Sequence, residues 1–115
     1  MKASEILRKA RELPFTKGTY ARDSSGQPVG IMNSDAVCFC TIGAVARVSG
    51  KFYRNEAKPG PYELALDALR DSIPKRIVSK KPPSIANTSD TLPEQKRLEW
   101  FDKAIELAEK SEIDV

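Results

Sequence analysis

Two cysteines and an arginine-aspartate pair are the side chains whose types and spacing could do chemistry in this sequence. Cys38 and Cys40 lie two residues apart, and Arg22 and Asp23 precede a Ser-Ser-Gly turn signal. A guanidinium offers a planar fork of donors to a carboxylate or phosphate, and an aspartate offers a fixed acceptor. Two interpretations follow. In one, Asp23 shapes the turn and Arg22 pairs locally. In the other, a small-ligand site forms from Arg22, Asp23, Cys40 and Asn87.

The composition argues against the common enzyme chemistries. Histidine is absent from the 115 residues, which removes Ser-His-Asp and Cys-His catalysis within the chain. Cys40 therefore has no base to activate it, and the alternative is that both thiols are small buried apolar groups. Two thiols fall short of a zinc site, and Asn87 with Asp90 falls short of the oxygen ligands that calcium takes. We predict no metal, no cofactor and no catalytic residue.

The charge is distributed unevenly along the chain. Residues 1–89 hold 15 Lys or Arg against 8 Asp or Glu, a net +7, whereas residues 90–115 hold 4 against 8, a net −4. Such asymmetry indicates either a basic face for an acidic partner or solvated charges on helix surfaces. The proline-containing segment 74–90 is predicted to be a long basic loop before the last helix. No recognisable nucleic-acid-binding motif accompanies it, but its cations could contact the phosphates of a nucleic acid. These cations are Lys75, Arg76, Lys80 and Lys81.

Length and composition predict a single globular domain over residues 1–115. The sequence is 40% hydrophobic and 30% charged, which is ordinary for a folded protein. Its first residues lack the apolar run of a secretory signal, and no stretch approaches the ~20 apolar residues of a membrane span. We therefore expect a cytoplasmic location with reduced thiols. The oligomeric state is left open.

Apolar periodicity predicts a mainly α fold, a bundle of about four helices with a short β-hairpin after the first. The first helix spans residues 4–13 with Ser4 as its N-cap, and the hairpin occupies residues 15–31. The second helix, 36–48, is apolar nearly all round and is expected to be the hub of the core. Within it, Gly43 predicts the close approach of another backbone.

The remaining two helices are marked by proline and by capping residues. Periodicity restarts at Tyr62 and runs to residue 73, with Pro61 in the first turn and Pro74 at the far end. Thr91 followed by Glu94 has the spacing of a capping box, which predicts the start of the last helix. Leu98, Phe101 and the residues that follow them at helical spacing give that helix its apolar face.

Three short motifs in order carry a family resemblance. They are Gly18-Thr19-Tyr20-Ala21-Arg22-Asp23-Ser24-Ser25-Gly26, Phe39-Cys40 before Gly43-Ala44, and Asp102-Lys103-Ala104-Ile105. Together they resemble a family of small bacterial and phage proteins of unknown function. The resemblance implies a compact fold and a phage or mobile-element origin, and it brings no activity with it. This chain departs from the family pattern at Phe15 and at residues 86–88, where the family has Trp and Trp-Asn-Asp.

The leading functional hypothesis is a non-enzymatic accessory or interaction protein, of phage or prophage origin, that presents a surface to a protein partner. It rests on the missing catalytic sets and on the charge asymmetry. The alternatives are a nucleic-acid binder that uses the basic loop, and a small-ligand binder or enzyme with a pocket near Arg22, Asp23 and Asn87.

Overall fold

The computed structural model describes residues 1–51, 53–74 and 84–113, with side chains to residue 112. Within these ranges the chain forms five helices and a small two-stranded antiparallel sheet, so the predicted mainly helical class is confirmed. In chain order the elements are α1 (Ala3–Glu12), β1 (Ala21–Arg22), β2 (Cys38–Phe39), α2 (Thr41–Ser49), α3 (Pro61–Asp71), α4 (Ile85–Thr91) and α5 (Glu94–Ile113).

Helix α1 forms where its apolar spacing predicts, and it buries Ile6, Leu7 and Ala10. The predicted N-cap is wrong, because the helix begins one residue before Ser4 and the cap is Lys2. Ser4 is buried inside the first turn instead. Its amide and its hydroxyl both donate to the carboxylate of Glu112 in α5, at 3.1 and 2.8 Å. These bonds tie the start of α1 to the end of α5.

The small sheet pairs segments that lie further apart than the predicted hairpin. Ala21 lies opposite Phe39, and Arg22 lies opposite Cys38, in an antiparallel register. The predicted hairpin forms over a shorter range than 15–31: Arg22 bridges Pro28, the Asp23 amide donates to the Gln27 carbonyl at 2.9 Å, and the Val29 amide donates to the Ala21 carbonyl at 3.1 Å. Pro28 has no N–H to extend that ladder, so the return segment stays short and β1 pairs with β2 on its other side.

The predicted central helix is wrong at its start. Residues 36–40 are not helical, and α2 begins at Thr41. The Phe39 amide donates to the Pro14 carbonyl at 2.8 Å, and the Cys40 amide donates to the Tyr20 carbonyl at 3.2 Å. A short apolar run fits a buried strand as well as a helix, and these distant partners decide between the two. The hub of the core is correspondingly shorter, from Thr41 to Ser49.

Gly43 confirms the predicted close approach of another backbone. A Cβ built on this residue would lie 2.2 Å from the Tyr20 carbonyl oxygen, which is closer than any real side chain tolerates. The missing side chain lets the first turn of α2 pack directly on the segment that leads into β1. The helix then ends at Gly50, whose φ of 68° is in the left-handed region that glycine adopts without strain.

One hydrophobic core joins the helices. Helix α1 packs against α5, α2 and α3, and α3 packs in turn against α5. Trp100 and Phe101 of α5 are almost completely buried in this core, together with Leu7 and Leu69. Helix α3 begins at Pro61, the first-turn position that the sequence predicts. No helix in the described ranges is both long enough and apolar enough to span a bilayer.

The predicted long loop and the predicted capping box are both wrong. Segment 74–90 is not a loop throughout, because α4 begins at Ile85. Thr91 ends α4 instead of capping the next helix, and its hydroxyl donates to the Asn87 carbonyl at 2.6 Å. The predicted nucleic-acid residues, Lys75, Arg76, Lys80 and Lys81, lie outside the described residues.

The uneven charge is partly neutralised within the fold. Basic residues of α1 face acidic residues of α5, so that Arg8 pairs with Glu109 and Arg11 pairs with Asp102 at 2.9 Å. These pairs are partly exposed and contribute little to stability. They nevertheless provide an internal partner for charges that lie at opposite ends of the sequence.

Candidate functional site

Each of the three guanidinium nitrogens of Arg22 donates a hydrogen bond to a nearby residue. Its guanidinium donates to the Thr16 hydroxyl and to the carbonyls of Gly26 and Lys17, each at 3.0 Å. The side chain therefore fastens the segment before β1 to the turn after it. These contacts favour the local-pairing interpretation of Arg22 over the ligand-binding one.

Asp23 organises the turn that follows. One of its carboxylate oxygens accepts hydrogen bonds from the Ser25 hydroxyl at 2.7 Å, the Gln27 amide at 2.9 Å and the Ser25 amide at 3.0 Å. The Ser25 hydroxyl, followed by the Gln27 amide, lowers the pKa of Asp23 below its ordinary value. The carboxylate thus acts as the acceptor that closes a surface turn.

Cys40 and Asn87 belong to two different helix starts. Cys40 is the N-cap of α2, and its sulfur accepts a hydrogen bond from the Gly43 amide at 3.3 Å. Burial raises the pKa of this thiol, so the group is neutral at pH 7. Asn87 is exposed in the first turn of α4, where its amide donates to the Ser84 hydroxyl at 3.1 Å. Each of the two residues thus has a local structural role.

A different set of residues forms a buried polar cluster next to Cys40. We define this cluster as Cys40, Thr41, Ser89 and Arg97, all at least nine-tenths buried. The Ser89 hydroxyl accepts from the Thr41 amide at 3.1 Å and donates to the Thr41 hydroxyl at 2.8 Å. Helix α4 is therefore held against the N-terminus of α2 by hydrogen bonds between buried polar groups.

Arg97 of α5 is the charged member of the buried polar cluster. Only 1% of its surface is exposed, and its guanidinium carbon lies 3.9 Å from the centre of the Phe15 ring and 5.5 Å from that of Phe101. Within the described part of the chain, its Nε and Nη1 atoms have no hydrogen-bond partner. Burial lowers the pKa of Arg97, and the nearby Glu94 carboxylate only partly opposes this effect. The guanidinium is thus stacked on aromatic rings but has no paired anion among the residues that the structure describes.

Backbone pairing brings Arg97 close to the start of α2. The Phe15 segment runs beside β2, since the Thr16 amide donates to the Phe39 carbonyl at 3.0 Å and Phe15 bridges Phe39. Phe39 directly precedes Cys40, so the ring that stacks on Arg97 is anchored next to the α2 cap. The Gly18 amide, further along the same segment, donates to Asp90 of α4 at 3.2 Å. Segment 14–18 therefore links α4, α5 and the N-terminus of α2.

The comparison with known protein families matches a range that includes every residue of the buried polar cluster. A family model described as a family of unknown function, DUF6197, matches residues 1–107. The chain belongs to the DUF6197 family. No curated protein and no solved structure matches it. The prediction that the chain belongs to a family of unknown function is thus confirmed. The individual motifs and a phage origin remain predictions.

Sequence analysis of this DUF6197 chain missed Arg97, although a signal was present. Positions 97, 101, 104 and 108 lie on one face of a helix, and the last three are apolar and buried. An arginine on an otherwise apolar helix face is unusual, because buried charges are normally paired. That irregularity in the pattern could have identified Arg97 before the fold was known.

A separate cavity of about 250 Å³ lies on another side of the DUF6197 fold, between α1, α2 and α3. Its lining includes Ile6, Val48 and Pro61, with Lys51 and Glu63 as charged groups. Glu63 accepts from the Asn55 amide, the Gly60 amide and the Lys51 ammonium, all between 2.8 and 2.9 Å. Because its acceptors already serve the loop before α3, Glu63 is a structural carboxylate.

We expect Glu63 to make the stability of the protein fall in acid. The Lys51 ammonium, followed by the Gly60 and Asn55 amides, lowers the pKa of Glu63 from 4.5 to about 2 in the folded protein. The folded state therefore binds this proton less readily than the unfolded state. The carboxylate's stabilisation is complete above pH 4.5 and is lost as the pH falls towards 2. Melting temperatures measured across this range should drop steeply.

The matched variants are Glu63→Gln and, as a control, Glu56→Gln, which removes an exposed carboxylate of the same loop. Glu63→Gln should melt lower than wild type at pH 7 and should show a shallower decline in acid. Glu56→Gln should keep the wild-type profile. Identical acid profiles for Glu63→Gln and wild type would contradict the assignment.

Proposed function

We propose that this DUF6197 protein binds a small oxyanion, a carboxylate or phosphate group, through Arg97. One observation carries the proposal: a guanidinium that is 1% exposed has two nitrogens without a hydrogen-bond partner among the described residues. Phe15 and Phe101 lie near the guanidinium as ring stacking partners, which leaves its in-plane N–H groups to be satisfied. Carboxylate and phosphate oxygens match those donors in geometry and in charge.

The energetics favour a ligand over a purely structural role for Arg97. Leaving a buried polar donor unsatisfied costs about 1 to 3 kcal/mol, and more when the group is charged. Stacking on Phe15 offsets about 0.5 to 2 kcal/mol of this cost. The remainder destabilises the free protein, and an oxyanion that enters the site would recover it.

The surroundings of Arg97 add positive potential, and within residues 1–51, 53–74 and 84–112 they supply no paired anion. The N-terminus of α2 begins at the neighbouring Thr41 and carries the partial positive charge of a helix start. Cys40 is a neutral thiol at pH 7, because burial raises its pKa. An anion between Arg97 and the start of α2 would therefore interact favourably with both.

The other functional hypotheses rest on weaker support. The case for a protein partner drew on the charge asymmetry, and the ion pairs between α1 and α5 now account for part of it. The nucleic-acid hypothesis depends on Lys75 to Lys81, which lie outside the described residues. Both hypotheses stay predictions. The buried polar cluster supports a small-ligand binder, but at Arg97 and not in the predicted pocket near Arg22, Asp23 and Asn87.

The test is the response of Arg97→Met to inorganic phosphate. We expect phosphate, compared with chloride at equal ionic strength, to raise the melting temperature of wild type. At a phosphate concentration of 100 times Kd, the free energy of unfolding should rise by about 2.7 kcal/mol. Arg97→Met should lose this response. It should also be at least about 1 kcal/mol more stable than wild type in chloride, because it removes an unpaired buried charge.

Arg70→Met is the matched control, since Arg70 is exposed on α3 and pairs with Asp67. It should respond to phosphate as wild type does. Acetate serves as the second probe and separates a carboxylate preference from a phosphate preference. A wild type that neither anion stabilises, or an Arg97→Met variant that keeps the full response, would overturn the proposal.

A further inference from the structure

The ring of Phe15 separates the guanidinium of Arg97 from solvent. Its centre lies 3.9 Å from the guanidinium carbon, the distance of direct stacking contact. The ring of Phe101 is 5.5 Å from the same carbon, and Phe101 has no exposed surface. Phe15 is only half-buried, whereas Arg97 is 1% exposed. Of the two rings beside Arg97, Phe15 is therefore the one that reaches the solvent.

The backbone that carries Phe15 is fixed on both sides of the residue. The Phe39 amide donates to the Pro14 carbonyl at 2.8 Å, and the Thr16 amide donates to the Phe39 carbonyl at 3.0 Å. The phenyl side chain has no hydrogen-bonding group that could hold it in the same way. Rotation of the ring to another rotamer is thus the smallest movement that uncovers the guanidinium, because it leaves these backbone bonds intact.

We infer that the Phe15 side chain is the gate through which the oxyanion reaches Arg97. The inference rests on the proposed function and adds the route into the same site. The ring swings out, the anion binds the in-plane N–H groups, and the ring closes again on the face of the guanidinium. The exposed ammonium of Lys17 lies 6.0 Å from the centre of the Phe15 ring. It places a positive charge at the entrance, where it attracts an approaching anion.

The test measures phosphate exchange from NMR line shapes in a phosphate titration of wild type and Phe15→Ala. Stacking of an arginine on a ring favours the closed position about 2- to 30-fold. A site that must open before it binds or releases its ligand exchanges more slowly by the same factor. Phe15→Ala should therefore both bind and release phosphate faster than wild type. Leu13→Ala, which truncates another half-buried side chain two residues earlier, should keep the wild-type rates.

A second readout measures how well the ring covers Arg97. Phenylglyoxal modifies accessible guanidinium groups, and peptide mass spectrometry gives the rate of modification at each arginine. In wild type, Arg97 should react far more slowly than the exposed Arg70. In Phe15→Ala, the reaction of Arg97 should accelerate while that of Arg70 stays unchanged. Leu13→Ala should leave Arg97 protected, which separates loss of the gate from a general loosening of the fold.

The inference is wrong if Arg97 is no more reactive in Phe15→Ala than in wild type or in Leu13→Ala. It is also wrong if Phe15→Ala only releases phosphate faster, since that result describes a ring that holds the bound anion and does not gate its entry. In either case the proposed function stands if Arg97→Met still loses the phosphate response. If Arg97→Met keeps that response, the proposed function fails and the gate fails with it.

Discussion

Gly43→Ala is expected to destabilise the protein, although alanine is the better helix former. The new Cβ would lie 2.2 Å from the Tyr20 carbonyl oxygen, a backbone atom that cannot rotate away. Alanine gains about 1 kcal/mol over glycine by helix propensity, and overpacking of this kind costs more than that gain. We expect a net loss of about 1 to 2 kcal/mol of unfolding free energy, or roughly 4 to 8 °C in melting temperature. Gly43→Leu should lose more.

Gly30→Ala is the matched control. A Cβ at Gly30 meets no atom within 4 Å. Gly30 also lies outside the set of glycines with positive φ. We expect its free energy of unfolding to stay within about 0.5 kcal/mol of wild type, as for most surface substitutions. Equal melting temperatures for Gly43→Ala and wild type would show that α2 does not pack directly on the Tyr20 backbone.

The outer helices were predictable because local pattern determines them. The apolar face of α1 and the proline at the start of α3 can each be read from a few neighbouring residues. The sheet was not predictable in this way. Val37 donates to the Arg22 carbonyl and Cys40 to the Tyr20 carbonyl, so the extended conformation of that stretch depends on partners at least fifteen residues away. Periodicity within the stretch contains no information about them.

The candidate site was only partly predictable for a related reason. Arg22 and Asp23 were predicted as candidate site residues because of their residue types. Their side chains instead form hydrogen bonds with Gly26 and Gln27, in the turn that follows Asp23. Cys40 was correctly singled out as a member of the core, and the structure places it within the buried polar cluster. Arg97 carries two unsatisfied nitrogens, and whether a polar group is satisfied emerges only from tertiary contacts.

Several buried polar groups away from Arg97 have hydrogen-bond partners within the fold. Buried Glu63 has its acceptors filled by the loop before α3, and Ser4 uses its donors on Glu112. The sequence thus provides partners for these buried polar groups. Against that background, the two unpaired nitrogens of the deeply buried Arg97 point to an external partner better than to poor packing.

Trp100→Ala is expected to be among the most destabilising single substitutions in the chain. The indole is 1% exposed and lies in the core between α3 and α5, with the Phe101 ring 6.4 Å away. Its N–H donates at 2.8 Å to the Leu69 carbonyl, one of the last carbonyls of α3 that lack a normal helical partner. Truncation leaves a cavity and removes the shorter of two hydrogen bonds to that carbonyl, whose other donor is the Ser72 amide at 3.3 Å, and we expect a loss of about 3 to 5 kcal/mol.

A graded series separates the two contributions in chemical denaturation. Trp100→Phe keeps an aromatic ring in the core and removes the donor, so it should cost about 1 to 3 kcal/mol and fall between wild type and Trp100→Ala. Leu107→Ala truncates a side chain of the same helix that is 40% exposed, and it should cost far less. If Trp100→Ala were no more destabilising than Leu107→Ala, α5 would not pack in the orientation described. The positions of Phe101 and Arg97 on its buried face would then have to be abandoned as well, because all three residues share one helix.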